Sequence, residues 1–157
     1  MGIDRTSSHG THGSGLYVLY VPFLLETLAN APDADIFLIM SQSFQPGDYL
    51  IFQLESGFGL LRVLAIDDPD GAPVWHLMAY EELFPDVESA ERAIAQPSSL
   101  HIRKKHMALT DRAFERTPAA RLGTGTLTEE EIAPYQEWIE NGGEVSDRSA
   151  LLMLGLR

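Results

Sequence analysis

Two groups of residues have types that could do chemistry. His101, Arg103, Lys104, Lys105 and His106 form the one basic cluster of the chain, and such a cluster can receive a carboxylate or phosphate group. Trp75-His76 and Tyr80 are followed at once by Glu81 and Glu82, and an imidazole beside a carboxylate can work as an acid–base pair. His76 or His106 with a neighbouring carboxylate therefore defines one class of function, a small enzyme. Each group also has a plainer reading. Lysines on an outer strand deter edge-to-edge pairing of sheets, and a single histidine on a half-buried strand can serve packing alone. As metal ligands His101 and His106 fit poorly, because five residues apart on a regular strand they point to opposite faces.

The remaining candidates read as structure. Asp67-Asp68-Pro69-Asp70-Gly71 holds three carboxylates but lacks the spaced ligands and distal glutamate of a calcium loop, and its Pro and Gly suit a tight turn. Glu129-Glu130-Glu131 suits the positive end of a helix. Ser56 lacks the Gly-x-Ser-x-Gly setting of a hydrolase nucleophile. Gly57 and Gly59 lead into a strand rather than a helix, so they do not cradle phosphate. The chain has no cysteine, which excludes disulfides, Cys-ligated metals and thiol nucleophiles, and is compatible with a reducing cytoplasm. No cofactor and no metal is expected. A formal net charge of -12 is repelled by phosphate backbones and anionic bilayers, so neither nucleic acid nor membrane is an expected partner.

The elements that must position these groups are mostly strands. Pro46-Gly47-Asp48 is a turn, Tyr49 to Leu54 a strand, Glu55-Ser56-Gly57 a hairpin loop, and Phe58 to Ile66 the return strand. Both faces of this hairpin are apolar, which places it centrally in a sheet or small barrel. After the Asp67 to Gly71 turn, Pro73 to Tyr80 is a third strand and Asp86 to Gln96 a short helix. Leu100 to Leu109 is a fourth strand, whose apolar register slips at Lys104-Lys105 as a bulge would make it. Thr110 caps a short helix burying Ala113 and Phe114. Thr128-x-x-Glu131 is a capping box opening a helix with Ile132, Tyr135 and Ile139 on its apolar face and Pro134 inside it. Ser146 caps a last apolar segment, Ala150 to Leu156.

Short connections between the first strands forbid parallel crossovers. The expected fold is α+β: an antiparallel sheet, or a small SH3-like barrel, with C-terminal helices packed on one side. Residues 40–157 read as a single globular domain beginning near Met40, with residues 1–39 outside its core. Residues 1–15 have the composition of a disordered lead. The apolar run at 16–25 is too short to span a bilayer. With Ala29-Asn30-Ala31 behind it, the run imitates a signal peptide; the alternatives are a start at Met40 or an added packing element. A secreted or envelope protein is therefore a further class.

Residues 46–64, PGDYLIFQLESGFGLLRVL, resemble the opening hairpin of a bacterial immunity-protein family that neutralises toxins. HMALTDRAFE at 106–115 and LTEEEIAPYQEWIENGG at 127–143 are similar to segments of uncharacterised bacterial proteins. The resemblance implies a non-catalytic module that binds a protein partner in the bacterial cytoplasm. The small enzyme using His76 or His106 is the alternative.

Overall fold

The computed structural model describes residues 43–157. The expectations for residues 1–39, and the boundary at Met40, lie outside the described residues. In chain order the elements are β1 (Asp48–Leu54), β2 (Gly57–Asp67), β3 (Val74–Tyr80), α1 (Val87–Ile94), a 3-10 turn (Pro97–Ser99), β4 (Ile102–Thr110), α2 (Asp111–Glu115), β5 (Ala119–Thr124), α3 (Glu129–Glu140) and α4 (Ala150–Leu154).

The five strands form one antiparallel sheet in the order β4-β3-β2-β1-β5. The fold is α+β as expected, but the sheet is open and does not close into a barrel: β4 and β5 are its two edges. The hairpins follow the sequence closely. Gly57 has φ 142° and its amide plane is fixed by Phe58 and Phe84, which exchange two backbone hydrogen bonds of 2.8 Å. Gly71 takes φ 77° in the turn between β2 and β3, the left-handed region that glycine enters without steric cost.

Helices cover both faces of the sheet, not one. The reason lies in the central strands, which are apolar on both sides and so need cover on both. Leu50, Phe52, Leu61, Val63, Leu77, Met107 and Leu109 form one core with Ala113 and Phe114 of α2 and Ala150 and Leu154 of α4. Tyr49, Ile51, Leu60, Leu64, Met78, Tyr80, Ala120 and Leu122 form the other, with Ala90 of α1. Helix α3 lies against β2 and β4.

Three local features differ from the sequence reading. The segment Ala119–Thr124 is a strand, β5, paired with β1. Ser149, not Ser146, caps α4 by accepting from Leu152 N; Ser146 instead bridges to β4, donating to Ala108 O at 2.8 Å and accepting from Thr110 N at 3.0 Å. Ile139, expected on the apolar face of α3, is exposed, although the helix opens at Glu129 and carries Pro134 inside it as expected. The capping box itself is present, with Thr128 and Glu131 each accepting from the other's backbone amide.

Three register shifts, one in β2 and two in β4, decide which side chains meet. In β2 the pairing moves from Val63↔Leu77 to Ala65↔His76, so β2 holds one extra residue there. Val63 and Ile66 consequently share a face although three residues apart, and Asp67 is turned to the face that carries His76. In β4 the pairing passes from Leu77↔Met107 to Ala79↔Lys104 and then to Tyr80↔Ile102. One extra residue falls at Lys105-His106 and the other at Arg103, on either side of Lys104, where the sequence pattern slips.

Candidate functional site

His76 and His106 meet across β3 and β4, with Nδ1 of His76 3.0 Å from Nε2 of His106. His76 is completely buried. On its other side Nε2 lies 3.0 Å from Oδ2 of Asp67, at the end of β2, and Oδ1 of Asp67 accepts a 2.8 Å hydrogen bond from the Tyr135 hydroxyl on α3. The rings of Tyr135 and Trp138 pack on His76 with centroids 4.6 and 4.8 Å away. Four elements thus supply one polar chain, Tyr135–Asp67–His76–His106, roofed by α3.

The surroundings disfavour extra protons on this chain. Burial pushes the His76 pKa below the usual histidine range, with Asp67 pulling in the opposite direction. Burial also takes His106 down to about 4, helped by the neighbouring His76 and Lys104 charges. Tyr135 is pushed up to about 12 by burial and by its bond to Asp67. At neutral pH both imidazoles are therefore uncharged.

His106 also lines an open groove of about 920 Å³ between β4 and α3. Met78, Ile102, Pro134 and Trp138 give it an apolar floor, Lys104 and Lys105 a basic lip on the strand side, and Glu130 and Glu137 an acidic lip on the helix side. The basic cluster is thereby divided. Lys104, Lys105 and His106 face the groove, whereas Arg103 donates to Leu154 O at 2.7 Å and His101 lies 2.7 Å from Glu82 Oε1. Hydrogen bonds from His101 outweigh burial at Glu82 and hold its carboxyl below the usual range.

The carboxylate beside His76 is Asp67, not Glu81 or Glu82. Glu82 is taken by His101, and the β2 bulge brings Asp67 round instead. Trp75 faces the opposite core, stacked on Phe114 at 4.0 Å and donating to Asp111 at 2.8 Å. His76 and His106 are brought together; His101 joins neither. Counting the β2–β3 ladder outward from the Asp67–Gly71 turn pairs Asp67 with Val74, and so sets it diagonally from His76 on the same face.

A second polar cluster, which sequence reasoning missed, holds the frame. Arg62 is 1% exposed. Its guanidinium donates to Gly47 O at 2.5 Å, Gly125 O at 3.2 Å and Thr126 O at 3.0 Å. Nε stands 3.3 Å from Glu131 Oε1 at ion-pair distance, and the group lies 3.9 Å from the Tyr49 ring centroid. Arg62 therefore fastens the turn before β1, the loop after β5 and the first turn of α3. Asp48, fully buried beside it in β1, accepts from Gln45 N and Arg121 Nε at 2.8 Å each and from the Thr124 hydroxyl at 2.6 Å.

Chemically, the histidine chain can orient a hydrogen-bonding group in the groove or relay a proton. Among the described residues no cluster of three or more His, Cys, Asp or Glu has the spacing to hold a metal ion, and no helix is long and apolar enough to cross a membrane. The chain matches no family model, no curated protein and no solved structure. The functional reading therefore rests on the fold and the site themselves.

Proposed function

We propose that this domain is a non-catalytic binding module of the bacterial cytoplasm whose groove between β4 and α3 takes an extended segment of a protein partner. The observation that carries it is the groove itself: an edge strand beside a helix, with an apolar floor between a basic and an acidic lip. A strand laid along a sheet edge sends alternate side chains to opposite sides. The segment that fits is one with acidic residues toward Lys104 and Lys105, basic residues toward Glu130 and Glu137, and an apolar residue over Trp138. Protein binding is also what the hairpin resemblance at residues 46–64 implies, and the absence of cysteine suits a reducing compartment.

The alternative, an acid–base enzyme using His106, is favoured by the Asp67–His76–His106 chain and disfavoured by two facts. Among the described residues, none that lines the groove carries a hydroxyl or thiol nucleophile. A histidine with a pKa of about 4 is a weak base at neutral pH, far from the match that proton transfer needs.

The test is selection of eight-residue peptides from a displayed library against the full chain, followed by mapping of amide shifts. Binders of acidic-apolar-basic pattern should shift Ile102–His106 and Glu130–Trp138 and lose at least about tenfold affinity in Trp138→Ala, as a central aromatic anchor does. Binders that map elsewhere, or none, would overturn the reading. Turnover of a model ester or amide lost in His106→Ala would establish the enzyme instead.

A further inference from the structure

The hydrogen-bond chain has a direction, and its direction sets what the groove can recognise. Nε2 of His76 stands 3.0 Å from a carboxylate oxygen of Asp67. Two lone pairs do not sit stably at that distance, so Nε2 carries the proton and the carboxylate accepts, the N–H being bent away from ideal alignment. The other oxygen of Asp67 is already accepting from Tyr135. A neutral imidazole protonated at Nε2 is an acceptor at Nδ1. Nδ1 of His76 must then accept from Nε2 of His106 across their 3.0 Å contact. That leaves Nδ1 of His106 with a lone pair and, among the described residues, no hydrogen-bonding partner.

We propose that Asp67, acting through His76, fixes His106 as a hydrogen-bond acceptor toward the groove, so that the groove selects a partner group that donates an N–H or O–H. Asp67 and His76 are positioning residues in this arrangement, and His106 is the contact. The selection step rests on the groove being the binding site; the tautomer of His106 does not, and the two are tested apart. A main-chain amide of an extended peptide is the donor that the groove's place beside an edge strand favours. An acceptor such as a carbonyl or carboxylate meeting the same atom would face an unshared pair, and a site built for one hydrogen-bonding sense rejects the other.

The experiment is long-range proton–nitrogen correlation of the ring nitrogens in the full chain at pH 7. His76 and His106 should both be protonated at Nε2 and bare at Nδ1. Asp67→Glu should keep that pattern. Asp67→Lys puts a donor where the acceptor stood and should reverse the chain, leaving His106 protonated at Nδ1; Asp67→Asn, which can turn its amide either way, should give a mixture if the lysine variant does not fold. A wild-type His106 protonated at Nδ1 overturns the proposal, as does an unchanged pattern in both the lysine and asparagine variants. For selection, the probe is a set of eight-residue acidic-apolar-basic peptides, each N-methylated at one amide. One methylation should cost at least tenfold in affinity to wild type and little to Asp67→Lys, in which His106 no longer accepts. If the tautomers are as stated and the parent peptides bind but no methylation matters, the selection step fails; if no parent peptide binds, the groove reading fails while the tautomers stand.

Discussion

Nδ1 of His76 lies 3.0 Å from Nε2 of His106, and His76 lowers the tolerance of His106 for a second proton. Both have folded pKa values below the ordinary 6.5, His106 at about 4 through burial first and the His76 and Lys104 charges next. The groups facing the pair are Asp67, Tyr135 and Lys104, of which only Asp67 favours protonation. In the unfolded chain both histidines take up protons near pH 6.5; in the folded chain His106 does so only near 4. The unfolded state therefore binds more protons between these limits, and stability is full above pH 6.5 and falls as the pH drops toward 4. The slope is at most about 1.4 kcal/mol per pH unit for each proton involved. Urea midpoints at pH 7.5, 6.5, 5.5 and 4.5 measure it, and His106→Phe should flatten the curve over that window. A midpoint that holds constant from 7.5 to 4.5 would show that the pair accepts protons freely.

Removing His76 itself should be costly. The side chain is fully buried under Tyr135 and Trp138, hydrogen-bonded to His106 at Nδ1 and 3.0 Å from the Asp67 carboxylate at Nε2. His76→Ala leaves a cavity and strips Asp67 and His106 of their shared partner, a loss of about 2–4 kcal/mol by the usual cost of core truncation with an orphaned polar group. His106→Ala, at the groove surface, should cost less than half of that. Denaturant unfolding of both variants checks the order; equal losses would mean that His76 is not the centre of the chain.

How much of this could be read from the sequence depends on whether pairing was local. The β1–β2 and β2–β3 hairpins are visible in their turns, because Gly57 and Gly71 announce conformations that neighbouring residues enforce. The irregularity at Lys105 was visible too, as a break in apolar alternation. What did not show was anything set by distant pairing. AARLGT at 119–124 has weak strand residues and becomes β5 only by binding the edge of β1. Arg62 sits in an alternating strand like any surface arginine, and its burial follows from carbonyls 15, 63 and 64 residues away. The partnership of Asp67 with His76 follows from the Asp67↔Val74 pairing beside the turn, but the bulge between Val63 and Ala65, which sets that face against the rest of β2, has no glycine or other marker in LLRVLAID.

Arg62 offers a direct test of that distant pairing. Its fork satisfies three main-chain carbonyls and an ion pair with Glu131 while 1% exposed. Arg62→Ala should destabilise by about 3–5 kcal/mol, since it leaves the Glu131 charge and the carbonyls without a donor. Arg62→Lys should recover little, because an ammonium cannot span three acceptors with the planar geometry of a guanidinium. Hydrogen exchange should show the loss first at Gly125 and in the first turn of α3. Recovery of wild-type stability by lysine would reduce Arg62 to a point charge.

The last test concerns the packing under β1. Phe52 stands opposite Gly59 in the β1–β2 ladder, and the ring lies over the glycine so closely that a Cβ on residue 59 would overlap three of its atoms. Phe52 is 3% exposed within the core that also holds Leu50, Leu61 and Leu77, so moving the ring disturbs packed neighbours. Gly59→Ala should therefore cost about 1–3 kcal/mol, the penalty of overpacking, against the small gain alanine normally brings to a strand. The sign of the interaction separates this from a general intolerance at residue 59. Phe52→Leu alone loses packing and should destabilise, but in the Gly59→Ala background it relieves the overlap and should cost less or become favourable. Urea midpoints of the two single variants and the double variant give the coupling. Strict additivity would show that the ring moves aside without cost and that Gly59 is not required by Phe52.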